Sequence, residues 1–205
     1  MKRILGLFLT VSLSVAVLAC GHDEETVPET SESPYLPRTS IENVMANLAT
    51  AYQERNLEEY AKLFDHDRFR YVFPPACVQG PDPLPPFWAW NAEYESAGNM
   101  LADTLIEKVE LGISFQTPRP VEEADDPPAG ATRTTYLTSL DLLLTTRNPD
   151  TEEQDIFVIQ GEHQDFFFAR DPWETQDGQP VWKVLEWRDR EPGCGEWARL
   201  KYSYR

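Results

Sequence analysis

The sequence predicts an α+β domain in which three N-terminal helices come first and pack on a curved, mixed but mostly antiparallel sheet. Three observations predict it. Apolar residues recur at helical spacing from Ile41 to Phe64, and strand-like runs follow from Phe69 onward. Turn signals such as Asn148-Pro149-Asp150 and Asp177-Gly178 then divide the later runs into hairpins. Helices segregated to one face of an antiparallel sheet give the α+β class.

The first helix places Ile41, Val44, Met45, Leu48, Ala51 and Tyr52 on one stripe, and Thr39 with Glu42 three residues on reads as a capping box. A break at Arg55-Asn56 lets Asn56 cap a second helix carrying Leu57, Tyr60, Ala61 and Phe64. Phe69, Tyr71 and Phe73 alternate as a strand. Pro74 to Pro86 holds too many prolines for helix or central strand, so a loop is expected; the Trp88 and Trp90 that follow are expected to pack against the sheet edge, a rim or plug over a cavity being the alternative. The third helix runs through NAEYESAGNMLADT, with Tyr94, Ala97, Met100 and Leu101 on its face. Four strands are then expected: Leu105 to Phe115, Arg133 to Arg147, Gln154 to Ala169 with a bend at Gly161, and Val181 to Asp189. Between the first two of these, the acidic stretch 117–132 is expected to point into solvent.

Ahead of the domain, Lys2 and Arg3 precede an apolar run from Ile4 to Ala19. At about 1.5 Å per residue the run falls short of a bilayer core of about 30 Å, which favours a signal peptide over a spanning helix. Its ending, Val17-Leu18-Ala19-Cys20, resembles the bacterial lipobox, which implies lipidation at Cys20 after removal of residues 1–19. Gly21, not Asp, follows the cysteine; by resemblance to proteobacterial lipoproteins this implies the periplasmic face of the outer membrane in a Gram-negative host. Residues 20–38 are polar, acidic and proline-bearing, a tether with too little apolar area to order itself. The domain is expected over 39–190 and a tail over 191–205.

The chain of 205 residues carries 18 basic and 35 acidic side chains, a net charge of −17. Lys2 and Arg3 lie in the leader, so the remainder is near about −19. Such a surface repels nucleic acid and anionic lipid headgroups, so the expected membrane contact is the lipid alone and no nucleic-acid partner is expected. With Cys20 lipidated, Cys77 and Cys194 suit one disulfide in an oxidising compartment, two free thiols being the alternative.

The element order, the Ala-Tyr-x-x-x-Asn-Leu-Glu-x-Tyr run at 51–60 and the terminal strand with Trp182, Trp187 and Asp189 resemble the SnoaL-like branch of the NTF2-like superfamily, over about residues 39–190. The resemblance implies a cone with an apolar pocket at its open end. It does not assign chemistry, since members include isomerases, cyclases, dehydratases and non-enzymes. By the same resemblance, Tyr60, Tyr71, Trp88, Trp90, Trp182 and Trp187 stand on elements that surround the pocket and are the candidate ligand-binding residues.

Proton transfer in such a pocket needs a carboxylate or imidazole beside a hydrogen-bond donor. His163, Asp141 and Glu186 are the candidate bases, and Tyr60 and Tyr71 the candidate donors. His22 falls in the tether and His66 in an Asp-His-Asp turn, without the further clustered ligands a metal needs. No nucleophile elbow, phosphate loop or paired-cysteine site is present, so neither cofactor nor metal is expected. Three readings follow: a non-catalytic binder of a small apolar molecule or partner protein, an isomerase- or dehydratase-like enzyme, and a homodimerising interaction module. The first is preferred.

Overall fold

A computed structural model describes residues 33–205, which form one compact unit. The leader, Cys20, His22 and most of the tether lie outside the described residues. The unit takes in the last residues of the expected tether and all of the expected tail. Among the described residues no helix is long and apolar enough to cross a membrane.

Helix α1 (Ile41–Gln53) buries the stripe read from its sequence, Ile41, Val44, Met45, Leu48, Ala51 and Tyr52. Its cap is Ser40, not Thr39: the helix begins one residue later than the capping box required, and Ser40 Oγ accepts the Asn43 N–H at 3.1 Å. Asn56 caps α2 (Leu57–Ala61) as expected, accepting from the Glu59 N–H at 3.0 Å. Between the two helices Arg55 is left-handed (φ 53°), which turns the chain. Its guanidinium then donates to the carbonyls of Leu101, Asp103 and Ile106 at 2.6–2.7 Å, closing the C-terminal end of α4 (Trp90–Ala102).

Seven strands make one open sheet. Its order is β2 (Phe87–Ala89), β1 (Arg70–Val72), β7 (Gln179–Asp189), β6 (Gln154–Gln176), β5 (Arg133–Arg147) and β3 (Ile106–Phe115), with the short β4 (Arg119–Pro120) joined to β5. Among the strands of the described residues only β1 and β7 run parallel, and every other strand pair is antiparallel. The sheet is therefore mixed, curved and unclosed, the α+β architecture the sequence predicts. Part of its bend lies at Gly161 (φ 71°), where Leu140 faces Glu162 but Leu142 faces Ile159.

Several expectations need correction. The proline stretch contains a single helical turn, α3 (Pro75–Val78), because Pro75 sits where a helix lacks an N–H partner in any case. Phe87 to Ala89 does more than pack on the sheet edge: it is itself the edge strand, its backbone paired with β1. A register shift after Ile106 makes Ile106 the inward residue, leaving Leu105 exposed. Tyr94 is exposed, and Glu93 takes its expected place in the core. The loop at 117–132 folds back on the sheet: the carbonyls of Asp125 and Asp126 accept from Arg188 at 3.1 and 3.0 Å. The segment set apart as a tail carries α5 (Glu196–Ser203), whose Trp197, Ala198 and Lys201 are buried. Cys77 and Cys194 form the expected disulfide.

Candidate functional site

The interior of the cone is built from four elements around one carboxylate. On α4 the stripe Trp90, Glu93, Ala97, Met100 follows helical spacing, so Glu93 points inward with the apolar residues and is fully buried. Tyr60 reaches it from α2 and donates its hydroxyl to Oε1. From the edge strand β2, Trp88 donates its indole N–H to Oε2 at 2.9 Å. The fourth element is α5, whose Lys201 donates to Oε1 and is itself 1% exposed.

Aromatic faces enclose that ammonium. Lys201 Nζ lies 4.4 Å from the ring centre of Trp187, 5.0 Å from Tyr71 and 5.4 Å from Trp197. The negative faces of the rings and the Glu93 carboxylate together replace the water the charge has lost. Burial pushes the Lys201 pKa down while Glu93 opposes the shift. Burial, and next the Glu93 charge, raise Tyr60 and Tyr52 well above the ordinary tyrosine value. Tyr71 is raised likewise by burial and then by the charge of Asp189. Each of these hydroxyls therefore keeps its proton at neutral pH. Trp197 stacks on Trp187 with ring centres 5.4 Å apart, and Ser96 Oγ on α4 donates to the Lys201 carbonyl at 2.6 Å. Helix α5 is thus the filling of the cone.

A second set of polar groups lies beside it. Glu162 Oε1 accepts the backbone N–H groups of Glu196 and Trp197 at 2.6 and 3.1 Å, fixing the start of α5. Gly195 permits this approach, since a Cβ there would meet that oxygen at 2.9 Å. Trp187 donates its indole N–H to Gln164 Oε1 at 2.9 Å, and the Tyr71 hydroxyl lies 3.4 Å from Asp189 Oδ2. Burial raises Glu162 to about 7 and Asp189 to about 6, against the hydrogen bonds each accepts from backbone N–H groups.

Both carboxyls bind their protons more tightly folded than unfolded. Their contribution to stability is therefore fully present below the ordinary carboxylate range and is lost as pH rises through about 6 and about 7. Thermal midpoints should accordingly fall between pH 5 and pH 8, and the double variant Glu162→Gln with Asp189→Asn should flatten that slope. A wild-type midpoint that rises across this interval, or a double variant with the same slope, would refute the assignment.

The candidate bases do not meet the candidate donors. Glu186 is fully buried but alternates with Trp187, so it faces away from the cone and binds Arg70 at 2.7 Å and Arg188 Nε at 2.8 Å. His163 likewise alternates with Glu162 and Gln164; its ring stacks on Tyr136 and its Nδ1 is 3.4 Å from Glu191. Asp141 is exposed at the Gly161 bend, accepting from Ser139 Oγ and the Gly161 N–H at 2.8 Å each. No hydrogen bond joins any of the three to Tyr60 or Tyr71 among the described residues. The tyrosines are taken by Glu93 and Asp189, neither of which the sequence reading named as a base. Spacing on the α4 stripe could have found Glu93; Asp189 entered only as part of the terminal-strand motif.

Of the six candidate aromatic residues, Tyr60, Tyr71, Trp88 and Trp187 belong to the filled interior, and all four are 4% exposed or less. Trp90 stacks under His66 with centres 4.2 Å apart and planes 6° apart. Trp182 instead borders an outer cleft of about 980 Å³ together with Phe64, Arg170 and Trp173. Two further clefts, of about 690 and 490 Å³, lie against Asp141 and Glu186. None of these three reaches Tyr60, Tyr71 or Trp187.

No family model matches the chain, and no curated protein matches it. Solved structures similar to it include an NTF2-like superfamily protein from Salmonella enterica serovar Typhimurium, at 12% identity over 75% of this chain and 91% of that one, with a TM-score of 0.43. An NTF2-like protein with a cystatin-like fold from Novosphingobium aromaticivorans is 13% identical over 80% and 88% of the two chains, with a TM-score of 0.42. A protein with a cystatin-like fold from Caulobacter vibrioides is 13% identical over 74% and 88%, with a TM-score of 0.43. At these identities and TM-scores the likenesses carry no argument about the site.

Proposed function

We propose that this chain is a lipid-anchored, extracytoplasmic binding domain that is not catalytic and that meets its target on its outer surface. One observation supports the second half most directly. Lys201 and Trp197 of α5 are buried inside the cone, and the Glu93 carboxylate there already accepts from Tyr60, Trp88 and Lys201. None of the three clefts described above reaches that carboxylate, so no open space brings a substrate beside it. The anchor rests on the Leu-Ala-Cys ending of the leader and on the polar tether behind it.

Native mass spectrometry of the full chain, released from detergent, should show the mass of the polypeptide plus its lipid and no further small molecule. Alkynyl-palmitate fed to an expressing Gram-negative culture should label the wild type and not Cys20→Ala. A co-purifying molecule displaced only when α5 unfolds would overturn the sealed interior, and equal labelling of the variant would overturn the anchor.

A further inference from the structure

The largest of the three clefts described above lies between the turn at 65–68 and the far end of the β6–β7 hairpin. Trp173 stands at its edge, 93% exposed. Its position is constructed. Asp171 pairs with Val181 and the next register pair is Thr175 with Pro180, so residues 172–174 form a bulge without partners across the ladder. Asp171 Oδ1 accepts the Trp173 N–H at 2.9 Å and holds that bulge in shape. Bulges of this kind re-aim side chains, and here the result is an indole face presented to water, where so large an apolar ring is seldom left.

The charges around it are unequally committed. Asp65 is taken by Arg68, with bonds of 2.9 and 2.5 Å to the guanidinium, and Gly130 leaves the room that Arg68 occupies. Lys183 is paired with Glu174 at 2.8 Å. Arg133 and Arg170, by contrast, make no ion pair among the described residues. Arg170 lies over the Trp182 ring at 4.8 Å, which keeps its planar fork oriented. In a chain of net charge −17, two guanidinium groups in one cleft that form no ion pair among the described residues mark a place for an anion. Asp67 and Asp171 also line the cleft and offer acceptors suited to hydroxyl groups. An apolar ligand would want enclosure by hydrophobic walls. This cleft is lined by charged groups, and of its aromatic rings Trp182 is covered by Arg170 while the face of Trp173 stands in water.

We propose that the cleft binds a carboxylated sugar, its carboxylate held by Arg133 and Arg170, its hydroxyls by Asp67 and Asp171, and the C–H face of its ring on the indole of Trp173. The proposal rests on the reading that the target is met on the outer surface and names the site and the ligand class.

The test is titration of the full chain in detergent with trigalacturonate, read by isothermal calorimetry and by quenching of tryptophan fluorescence, with maltotriose and benzoate as comparison probes. Saturable binding of trigalacturonate is expected, at least tenfold tighter than either comparison probe. Trp173→Ala should weaken it at least tenfold and remove most of the quenching, and Arg133→Gln with Arg170→Gln should bring trigalacturonate down to the level of maltotriose. All three side chains are at or near the surface, so the variants should keep the wild-type thermal midpoint. Absence of saturable binding, unchanged affinity in either variant, or maltotriose bound as tightly would each overturn the site. Benzoate bound more tightly than trigalacturonate would overturn the sugar. An interior ligand found by native mass spectrometry would defeat the outer-surface reading without altering these titrations, so the two failures are distinguishable.

Discussion

Replacing Glu93 by Ala should cost the domain about 3–5 kcal/mol of stability, because it leaves the Lys201 ammonium buried without its counter-charge. The Tyr60 hydroxyl and the Trp88 N–H lose their acceptor in the same step. For a domain of this size the loss corresponds to a fall of the thermal midpoint on the order of 10 °C. Glu93→Gln keeps an acceptor but removes the charge, so it should be milder for Tyr60 and still severe for Lys201. Adding Lys201→Met to Glu93→Gln should recover part of the loss, since a buried ion pair replaced by groups of similar shape is often neutral. Thermal denaturation followed by circular dichroism checks the series. A Glu93→Ala variant within about 1 kcal/mol of wild type would show that the pair does not carry the interior.

Opening the Cys77–Cys194 bridge should cost about as much, for a different reason. The bond closes a loop with a sequence separation of 117, and the chain-entropy relation gives about 4–5 kcal/mol for a loop of that length. It also ties the turn α3 to Cys194, two residues ahead of α5, so α5 should be the first element to loosen. In Cys77→Ser with Cys194→Ser the urea midpoint should fall. Amide exchange should quicken over 196–203 well before it does in β5 and β6, whose long ladders are independent of the bond. Equal urea midpoints with and without the bridge would contradict the entropic estimate. Uniform quickening across the sheet would contradict the ordering.

Much of this architecture is written in local pattern. The α1 stripe, the cap at Asn56, the bend at Gly161 and the long antiparallel strands follow from spacing and turn chemistry within a few residues. Where the pattern misled, a neighbour's choice was the reason. Ser40 replaces Thr39 as cap because the helix starts at its first buried residue, Ile41, and Ser40 is the extended residue before it. Phe87 to Ala89 becomes a strand because β1 offers it an edge.

The candidate site was less legible. Tyr60, Tyr71, Trp88 and Trp187 were found as residues of the interior, since aromatic side chains on core-facing elements converge there whatever else happens. Their partners were not. Glu93 and Lys201 lie 108 residues apart and each reads alone as a solvated charge on a helix. Only their meeting in one dry volume makes burial tolerable for both.

What the sequence by itself determined was the order of the main helices and long strands, most of the faces they bury and the acidic composition; these depend on periodicity, composition and count, which are local or additive quantities. That Cys77 and Cys194 meet was decided by the fold, which brings the two positions together. Which way His163, Asp141 and Glu186 point, and whether the cone is open, was decided only by the tertiary structure. A bulge of one residue reverses the face of every side chain beyond it, and an eight-residue helix at the chain's end supplies the charge and the ring that close the interior.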